Sequence, residues 1–365
     1  MKPDIAIFLM DLRGGGAERV MLNLATGFAS QGMSVDLVLV EPSGEYVDQV
    51  PQNLNIVKLN APRLIASIPK LISYLKKQQP KALISALEDT NLIAIVSRQL
   101  AQTPTKLVVT VHNHLSHEIK YSKQLKRKLV PYLIRWFYGY ADAVIGVSRG
   151  VVDDLIKFGS PKAKTHVIYN PIVTTDLLNK LEEPLNHPWF GSAENPVILG
   201  VGRLSRQKDF ETLIRAFDKV AHQTPSRLVI LGDGEERENL QRLIAELGLI
   251  ERIALLNFVA NPYIYMRDAA VLVLSSAWEG FGNVLVEAMA AGTPVVSTNC
   301  DSGPAEILEQ GRYGRLVAVG DVSALAQAIL DVLKHTPQNS ELLVRRASDF
   351  SLEVALRKYQ DILEM

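Results

Sequence analysis

Short apolar runs rich in Val, Ile and Leu recur along the chain and alternate with stretches of helical periodicity. Such runs are typical of parallel strands buried on both faces. In the first half the predicted strands are Ile5–Met10, Val35–Val40, Asn55–Leu59, Ala82–Ser85, Lys106–Val111 and Ala143–Val147. Helices are predicted between them, for example Ala17–Ser30 and Pro69–Lys77. This alternation predicts an α/β fold with a doubly wound sheet.

The pattern begins again after a proline-containing stretch at residues 171–195. The later predicted strands are Val197–Val201, Arg227–Leu231, Ile253–Leu256, Ala270–Leu274, Pro294–Thr298 and Gly314–Val317. We therefore predict two Rossmann-like domains, residues 1–170 and 196–349, joined by a linker at 171–195 and facing each other across a cleft. The last helix, Leu352–Leu363 within about 350–365, is expected to pack back on the first domain.

Length and composition narrow the class of protein. The chain has 365 residues, which suits two domains, and a single cysteine, Cys300, which excludes a disulfide framework or a cysteine-based zinc site. The first apolar run is too short for a signal peptide, and no stretch reaches the roughly 18 apolar residues of a membrane span. We expect a cytoplasmic protein, either free or attached peripherally to the inner face of the membrane.

Charge is unevenly distributed although the net charge is zero. Residues 1–170 contain 21 Lys and Arg against 13 Asp and Glu, whereas the remainder contains 18 against 26. Within the basic half, residues 118–138 interleave Tyr and Trp with cations, which predicts a helix that binds an anionic membrane or an acceptor phosphate. The cations singled out are Lys123, Lys126, Arg127 and Lys128. The alternative is an ordinary surface helix with its aromatic face in the core. No nucleic-acid recognition motif accompanies the charges, so no nucleic-acid partner is expected.

The segment SSAWEGFGNVLVEAMAAG, residues 275–292, concentrates candidate chemistry. Glu279 precedes two glycines, and Glu287 falls one turn into a helix for which Asn283 is the predicted N-cap. The free N–H groups of residues 282–285 would favour a phosphate, and the two carboxylates would accept hydrogen bonds from hydroxyls. This combination suits a nucleotide-sugar. The alternative is a solvated acidic residue beside a plain turn.

Two further loops follow predicted strands. Arg203 and Lys208, after Val197–Val201, could both bind a diphosphate, or could be two solvated cations. The glycines 14–16 open a helix and could admit a phosphate. A dinucleotide-binding fingerprint is disfavoured because Arg19 stands where that motif needs its third glycine, although a dehydrogenase stays open.

His112, His114 and His117 follow strand Lys106–Val111. Their spacing does not match a familiar metal-ligand pattern. We select His112 over His114 as a group that could hydrogen-bond a sugar hydroxyl or a departing group at the carboxyl edge of the sheet.

The motifs GGGAER, VHN, GVGRLSRQKDF, LGDGEER, EGFGNVLVE, AGTPVVST and SGPAEIL span Gly14 to about Gly320. In this order they resemble the retaining GT-B glycosyltransferases of family four, of the bacterial polysaccharide and glycolipid type. The resemblance implies transfer of a hexose-type sugar from a nucleotide-sugar, most commonly UDP-linked, to a saccharide or lipid-linked acceptor. It also implies retention of anomeric configuration, and it implies neither a metal nor another cofactor.

The same resemblance implies roles for residues. Glu287 would bind the ribose, Glu279 the donor sugar, and Arg203 with Lys208 the diphosphate, while His112 and Glu279 form the catalytic pair. The implied donor-binding residues are Gly14, Gly15, Gly16, Arg203, Lys208, Phe258, Pro262, Glu279, Gly280, Phe281, Gly282, Asn283, Val284 and Glu287. Two alternatives stay open: a sugar-nucleotide epimerase of the same architecture, and a non-catalytic partner that binds a nucleotide-sugar.

Overall fold

Two parallel sheets, each covered by helices, make up the described part of the chain. The structure is a computed structural model and describes residues 2–13, 15–121, 125–191, 194–334 and 339–365. The first unit consists of the chain up to Pro171 together with the C-terminal segment Leu352–Met365. The second unit comprises Ile172–Ser351. The predicted α/β class and doubly wound sheets are confirmed.

The first unit contains a seven-stranded sheet in the order β3-β2-β1-β4-β5-β6-β7. Its strands are β1 Ile5–Leu9, β2 Val35–Leu39, β3 Asn55–Lys58, β4 Ala82–Ala86, β5 Lys106–Val111, β6 Ala143–Gly146 and β7 Thr165–Val167. Its helices are α1 Gly16–Ser30, α2 Ile68–Gln78, α3 Glu88–Ala101, α4 Leu115–Tyr121, α5 Val130–Phe137 and α6 Arg149–Lys157. Strand β7 was not predicted, because this three-residue edge strand lacks an apolar run.

The second unit contains a six-stranded sheet in the order β10-β9-β8-β11-β12-β13. Its strands are β8 Val197–Val201, β9 Arg227–Leu231, β10 Ile253–Leu256, β11 Val271–Leu274, β12 Val295–Thr298 and β13 Arg315–Val317. Its helices are α7 Thr175–Leu181, α8 Phe210–Ala221, α9 Arg237–Glu246, α10 Tyr263–Asp268, α11 Asn283–Ala290, α12 Pro304–Ile307, α13 Val322–Lys334 and α14 Ser340–Ala347. The apolar faces of α8 and α13 pack on this sheet to form its core.

The C-terminal helix α15, Leu352–Leu363, packs on α1 within the first unit. The rings of Phe28 and Tyr359 meet edge to face with their centroids 6.4 Å apart. At Gly27 a Cβ would stand 2.8 Å from Leu356 Cδ1 and 2.9 Å from Leu352 Cδ1, so the two leucine side chains would have to move to admit a larger residue. Burial of an apolar helix face therefore joins the end of the chain to the unit that begins it.

The stretch predicted as a linker, residues 171–195, contains helix α7 and belongs to the second unit from Ile172 onward. Its helix is capped by Thr174, whose hydroxyl accepts a hydrogen bond from the Leu177 amide. Asn261, before α10, donates to the carbonyl of Lys180. Proline content marked a break in the pattern at this stretch, whereas these contacts make its first part an element of the domain.

Candidate active site

The carboxyl ends of β8 and β11 form the switch point of the second sheet. These strands are neighbours, and the sheet continues from β8 toward β9 and from β11 toward β12. At a switch point, the loops that follow two neighbouring strands turn to opposite faces of the sheet and leave a crevice between them. Open parallel sheets bind ligands in this crevice. Lys208 follows β8 and Glu279 follows β11, so topology brings together residues that are 71 positions apart.

Backbone and side-chain hydrogen bonds tie these two loops together. The Ala277 amide donates to the Gln207 carbonyl at 2.8 Å. The Gln207 side-chain amide donates to the Trp278 carbonyl at 2.9 Å, and the Ser275 hydroxyl donates to the Lys208 carbonyl at 2.8 Å. These contacts hold the loop of Lys208 and the loop of Glu279 in a fixed relative position, and all of them are made by the protein itself.

Lys208 and Glu279 form a buried ion pair at the centre of the two loops. Lys208 Nζ lies 2.5 Å from Glu279 Oε1, and the buried hydroxyl of Ser276 donates to the same oxygen at 2.6 Å. Both contacts end on Oε1, so among the described residues Oε2 is left to accept a hydrogen bond from a ligand hydroxyl. A charge this deeply buried is retained only with such partners.

Glu287 lies in the first turns of α11 and is half-buried. The helix begins at Asn283, and its cap is Gly282 at φ 98°. The prediction that Asn283 caps the helix was therefore wrong by one residue, because the chain enters the helix through a left-handed conformation that glycine adopts without strain. The amides of Asn283 and Val284 are consequently the first of the helix, where anions are favoured.

The backbone at Phe281 is held by the loop before α12. A Cβ at Gly303, whose φ is 90°, would stand 1.8 Å from the Phe281 carbonyl oxygen, so only glycine fits there. The Phe281 ring is buried and meets Phe350 edge to face at 5.4 Å. The buried Phe281 ring therefore anchors this part of the loop in the core.

The other predicted donor-binding residues of this unit lie nearer solvent. Arg203 is exposed and pairs with Glu235, its Nη2 lying 3.1 Å from Oε2. Phe258 follows β10 with an exposed ring, and Pro262 is half-buried at the start of α10. Arg203 and Lys208 thus differ sharply in burial although they share one loop.

In the first unit, His112 directly follows β5 and is buried. Its Nε2 lies 2.9 Å from Thr110 Oγ1. Burial lowers the pKa of His112 to about 4, so the ring is neutral at physiological pH. His114 instead points at Asp154, with Nδ1 3.4 Å from Oδ2. The two histidines therefore have separate surroundings.

The glycine loop after β1 is described only from Gly15, and Gly14 lies outside the described residues. Gly15 caps α1, which begins at Gly16. A Cβ at Gly15 would stand 2.2 Å from Glu18 Oε2, so the Glu18 carboxylate lies directly beside the first turn. Burial raises the pKa of Glu18.

The basic segment 118–138 is not one helix. Its described part contains the end of α4, a short 3₁₀ turn at Leu125–Leu129 and α5, with Pro131 in the first turn of α5. Proline suits a helix start but disrupts a helix interior, which explains the break. Lys123 and the side chain of Lys126 lie outside the described residues.

Arg127, predicted as a cation that binds membrane or acceptor, is half-buried and forms ion pairs with two carboxylates. Its Nη1 lies 3.4 Å from Glu88 Oε2 and 3.8 Å from Glu118 Oε2. Burial, with the nearby Glu118 charge second, raises the pKa of Glu88, and burial also raises the pKa of Glu118. A guanidinium that lies between two carboxylates compensates their negative charge. A count of charges along the sequence does not reveal such a pairing. Lys128 is exposed, as predicted.

Two residues that support the site were not predicted from the sequence. Ser276 binds Glu279, and Thr110 binds His112. Each is a small hydroxyl residue near the carboxyl end of a buried strand, where side chains reach a ligand edge, and that position was the available signal.

Comparisons with known proteins agree with this architecture. Residues 14–176 match the family model described as "Glycosyltransferase Family 4", and residues 187–347 match the one described as "Glycosyl transferases group 1". An N-acetylgalactosamine-N,N'-diacetylbacillosaminyl-diphospho-undecaprenol 4-alpha-N-acetylgalactosaminyltransferase of Campylobacter jejuni is 30% identical over 342 residues, 90% of each chain. The lipopolysaccharide 1,6-galactosyltransferase of Escherichia coli is 24% identical and covers 85% of this chain and 83% of its own.

Among solved structures, Anabaena HepE in complex with UDP and glucose superposes with a TM-score of 0.81 at 23% identity, over 99% of both chains. A likeness at this identity supports the fold. The two matched descriptions together with the Campylobacter relative establish the family. The chain belongs to the family 4, group 1 glycosyltransferases with the GT-B fold.

Proposed function

We propose that this protein transfers a hexose-type sugar from a UDP-sugar to a saccharide or lipid-linked acceptor of bacterial polysaccharide or glycolipid synthesis. The Campylobacter relative is named for an undecaprenyl-diphosphate-linked acceptor, and the E. coli relative for lipopolysaccharide. HepE was solved with UDP and glucose. The observation that carries the proposal is the buried Lys208–Glu279 pair at the switch point of the second sheet.

The chemistry proposed for this site is electrostatic. Glu279 Oε2 accepts hydrogen bonds from donor-sugar hydroxyls, and Glu287 accepts those of the ribose. The diphosphate leaving group gains negative charge as the glycosidic bond breaks, and Lys208, Arg203 and the first amides of α11 stabilise that charge. These fixed dipoles and cations stabilise the leaving diphosphate without a metal ion. We also propose transfer with retention, following the family resemblance.

A second proposed surface binds membrane. Val130, Ile134 and Tyr138 face the core, so the outward face of α5 and the turns beside it carries apolar side chains instead. These exposed residues are Leu129, Tyr132, Trp136 and Tyr140. Lys128 and Arg135 are exposed beside them. Amphipathic aromatic rings with cations suit the headgroup region of an anionic bilayer. We propose attachment at the cytoplasmic face; among the described helices none is long and apolar enough to cross a membrane.

Thermal shifts test the donor. The panel comprises NAD together with UDP, GDP, ADP and the glucose, galactose and N-acetylhexosamine conjugates of these three diphosphates, each with EDTA and with added Mg²⁺ or Mn²⁺. A ligand that binds the folded state alone raises Tm by mass action. We expect a UDP-selective shift, larger with one UDP-sugar and the same with EDTA, and a reduced shift in Glu287→Gln. A shift that requires metal, or one seen only with NAD, would overturn the proposal.

Product analysis separates transferase from the alternatives. A transferase consumes the UDP-sugar in proportion to acceptor, here an undecaprenyl-diphosphate-linked oligosaccharide or its short-chain analogue. An epimerase would release sugar without acceptor, and a non-catalytic partner would bind UDP tightly without turnover. An α-linked product from an α-linked donor, read by NMR coupling constants, supports retention.

Vesicle flotation tests the membrane face. Partition to vesicles of anionic phospholipid should fall about tenfold in Trp136→Ser with Lys128→Glu, because each surface cation contributes on the order of 1 kcal/mol. The matched control is Leu178→Ser, which removes an exposed apolar side chain on α7 of the second unit. Equal partition of wild type and the α5 variant would count against the surface.

A further inference from the structure

Arg346, on α14, is a nearly buried cation in the second unit. Its side chain is 12% exposed. Nε donates to the carbonyl of Ile307 at 2.9 Å, and Nη2 donates to the carbonyl of Glu306 at 2.7 Å. Nη1 donates to Asp349 Oδ2 at 2.8 Å. All three nitrogens of the guanidinium are therefore engaged by the protein itself, so Arg346 is not a cation held ready for a phosphate.

The two carbonyls that Arg346 binds lie at the end of the single-turn helix α12, Pro304–Ile307. A helix this short leaves its last carbonyls without partners inside the helix, and the guanidinium supplies them. The start of α12 rests on the loop between β11 and α11, because the missing Cβ of Gly303 would stand 1.8 Å from the Phe281 carbonyl oxygen. Arg346 therefore holds one end of α12 while the other end contacts the backbone of Phe281.

A second connection between Arg346 and Phe281 runs through the ring of Phe350. The guanidinium carbon of Arg346 lies 4.9 Å from the centroid of the Phe350 ring, where a cation is attracted by the ring face. The Phe350 ring in turn meets the Phe281 ring edge to face at 5.4 Å, and both rings are buried. In a closely packed interior a displacement of one ring is felt by its neighbour. Arg346 thus supports Phe281 at its carbonyl and at its side chain.

Only a guanidinium can make this set of contacts. The charge of Arg346 is compensated by Asp349 and by Glu309, whose Oε1 lies 3.2 Å from Nη1. The planar fork reaches two carbonyls from two nitrogens while its face lies on an aromatic ring. A lysine would keep the charge, but its single nitrogen could not bind both carbonyls and cover the ring. The shape of the arginine, beyond its charge, is therefore what this position requires.

Phe281 directly precedes Gly282, the cap of α11, so its position sets where the first amides of that helix point. We propose that Arg346 is a positioning residue that holds Phe281 and thereby aligns the amides of Asn283 and Val284 with the diphosphate of the donor. The inference rests on the proposed function and deepens it. It assigns the alignment of the anion-binding amides to a side chain that acts through Phe281 and makes no contact with the donor.

Amide hydrogen exchange of the full-length protein, followed by mass spectrometry without ligand, tests the positioning directly. Arg346→Lys keeps the charge and removes the fork, so amides of residues 279–285 and 304–310 should exchange about tenfold faster, the scale of one hydrogen bond. Strand β9 is the reference for global unfolding and should keep its wild-type rate. Faster exchange confined to 304–310 would overturn the proposal, because α12 alone would then depend on Arg346. An equal increase in β9 would also overturn it, because the effect would then be general destabilisation.

Arg312→Lys is the matched control. Arg312 pairs with the same Glu309 at 3.2 Å and lies over the same Tyr313 ring as Arg346, but its side chain is 66% exposed. We expect wild-type exchange at residues 279–285 in this variant. Equal acceleration in both variants would overturn the proposal, because any cation beside Glu309 would then suffice.

Phe350→Leu is measured if Arg346→Lys does not fold. It removes the ring between Arg346 and Phe281 and leaves both carbonyl contacts of the guanidinium in place. We expect faster exchange at residues 279–285 with residues 304–310 unchanged. Wild-type exchange at 279–285 in this variant would overturn the proposal.

A double-mutant cycle connects the positioning to the reaction. Arg346→Lys should lower kcat with the UDP-sugar about tenfold and KM should change less, because the charge that the amides meet grows in the transition state. Combined with Phe281→Leu, it should lower kcat no further than the more severe single variant, since both changes act on the same loop. Losses that multiply in the double variant would overturn action through Phe281. Failure of every UDP-sugar to react, with the exchange result intact, would count against the proposed function alone.

Discussion

The two units hold their buried polar residues in different electrostatic states. In the second unit the buried Glu279 carboxylate is met by Lys208 and by Ser276 before any ligand binds. In the first unit His112 Nδ1 and Glu88 Oε1 are buried without hydrogen-bond partners among the described residues. An unpaired buried polar atom costs about 1–3 kcal/mol. The buried charge of Glu279 is therefore already paired, whereas these two atoms of the first unit have no partner in the part of the chain that the structure describes.

This difference bears on what each group can bind. A satisfied, rigid pair needs no reorganisation as charge develops on a leaving diphosphate, which is the condition for electrostatic catalysis. The unpaired atoms of the first unit lie away from solvent and carry the free-energy cost of burial without a partner. Burial alone therefore does not identify a site residue. The number of hydrogen-bond partners that a buried group already has decides what it can still bind.

The largest effect is expected from breaking the satisfied pair. Lys208→Met should lower turnover about 10²–10³-fold, as for other lost transition-state donors. It should also lower the free energy of unfolding by about 3 kcal/mol at neutral pH, since a carboxylate is left buried beside a single hydroxyl. Steady-state kinetics and urea denaturation measure the two effects. Arg203→Met is the stability control, because its exposed pair with Glu235 should contribute under about 1 kcal/mol. Equal destabilisation in both variants would contradict the assigned difference in burial.

A separation of roles sharpens the comparison within the second unit. Glu287→Gln should weaken UDP affinity about tenfold, the scale of one charge-assisted hydrogen bond, with a smaller change in kcat. Glu279→Gln should lower kcat more than it weakens UDP binding, because its free oxygen is assigned to the sugar. Isothermal titration with UDP and initial rates measure the split. Equal losses of UDP affinity in the two variants would refute these roles.

The smallest effect concerns the first unit and pH. The pKa of Glu88 is raised above its ordinary 4.5 in the folded state by burial first and by Glu118 second; Arg127 opposes the rise and Asp89 adds to it. The folded state thus binds more protons than the unfolded state, so this contribution to stability is present at acidic pH and is lost as pH rises through the folded-state pKa.

Glu88→Gln should therefore flatten the decline in unfolding free energy between about pH 5 and pH 8, by roughly 1 kcal/mol. Urea denaturation at several pH values measures the slope. Glu211→Gln is the control, since Glu211 is exposed in an i,i+4 pair with Arg215 and should leave the slope unchanged. A slope as steep in Glu88→Gln as in wild type would show that Glu88 is ionised throughout.

Much of the fold was accessible from the sequence because buried parallel strands leave a strong local signal. All six strands of the second sheet were predicted with bounds within a residue of those observed, and the exception in the first sheet was the polar edge strand β7. The positions of Glu279, Glu287 and Lys208 after strands or within the first turns of a helix were likewise readable, because strand ends and helix starts have local patterns.

The sequence by itself thus determined the fold class, the family resemblance and the residue types gathered at the strand ends, since each depends on local pattern and spacing. Only the tertiary structure decided the partners: that Lys208 meets Glu279 across 71 positions, that Arg127 turns inward to Glu88, and that Thr110 holds His112. Side-chain pairing between distant residues is settled by topology and by the cost of burying unmatched charges and hydrogen-bonding groups, and neither leaves a periodic trace in the chain.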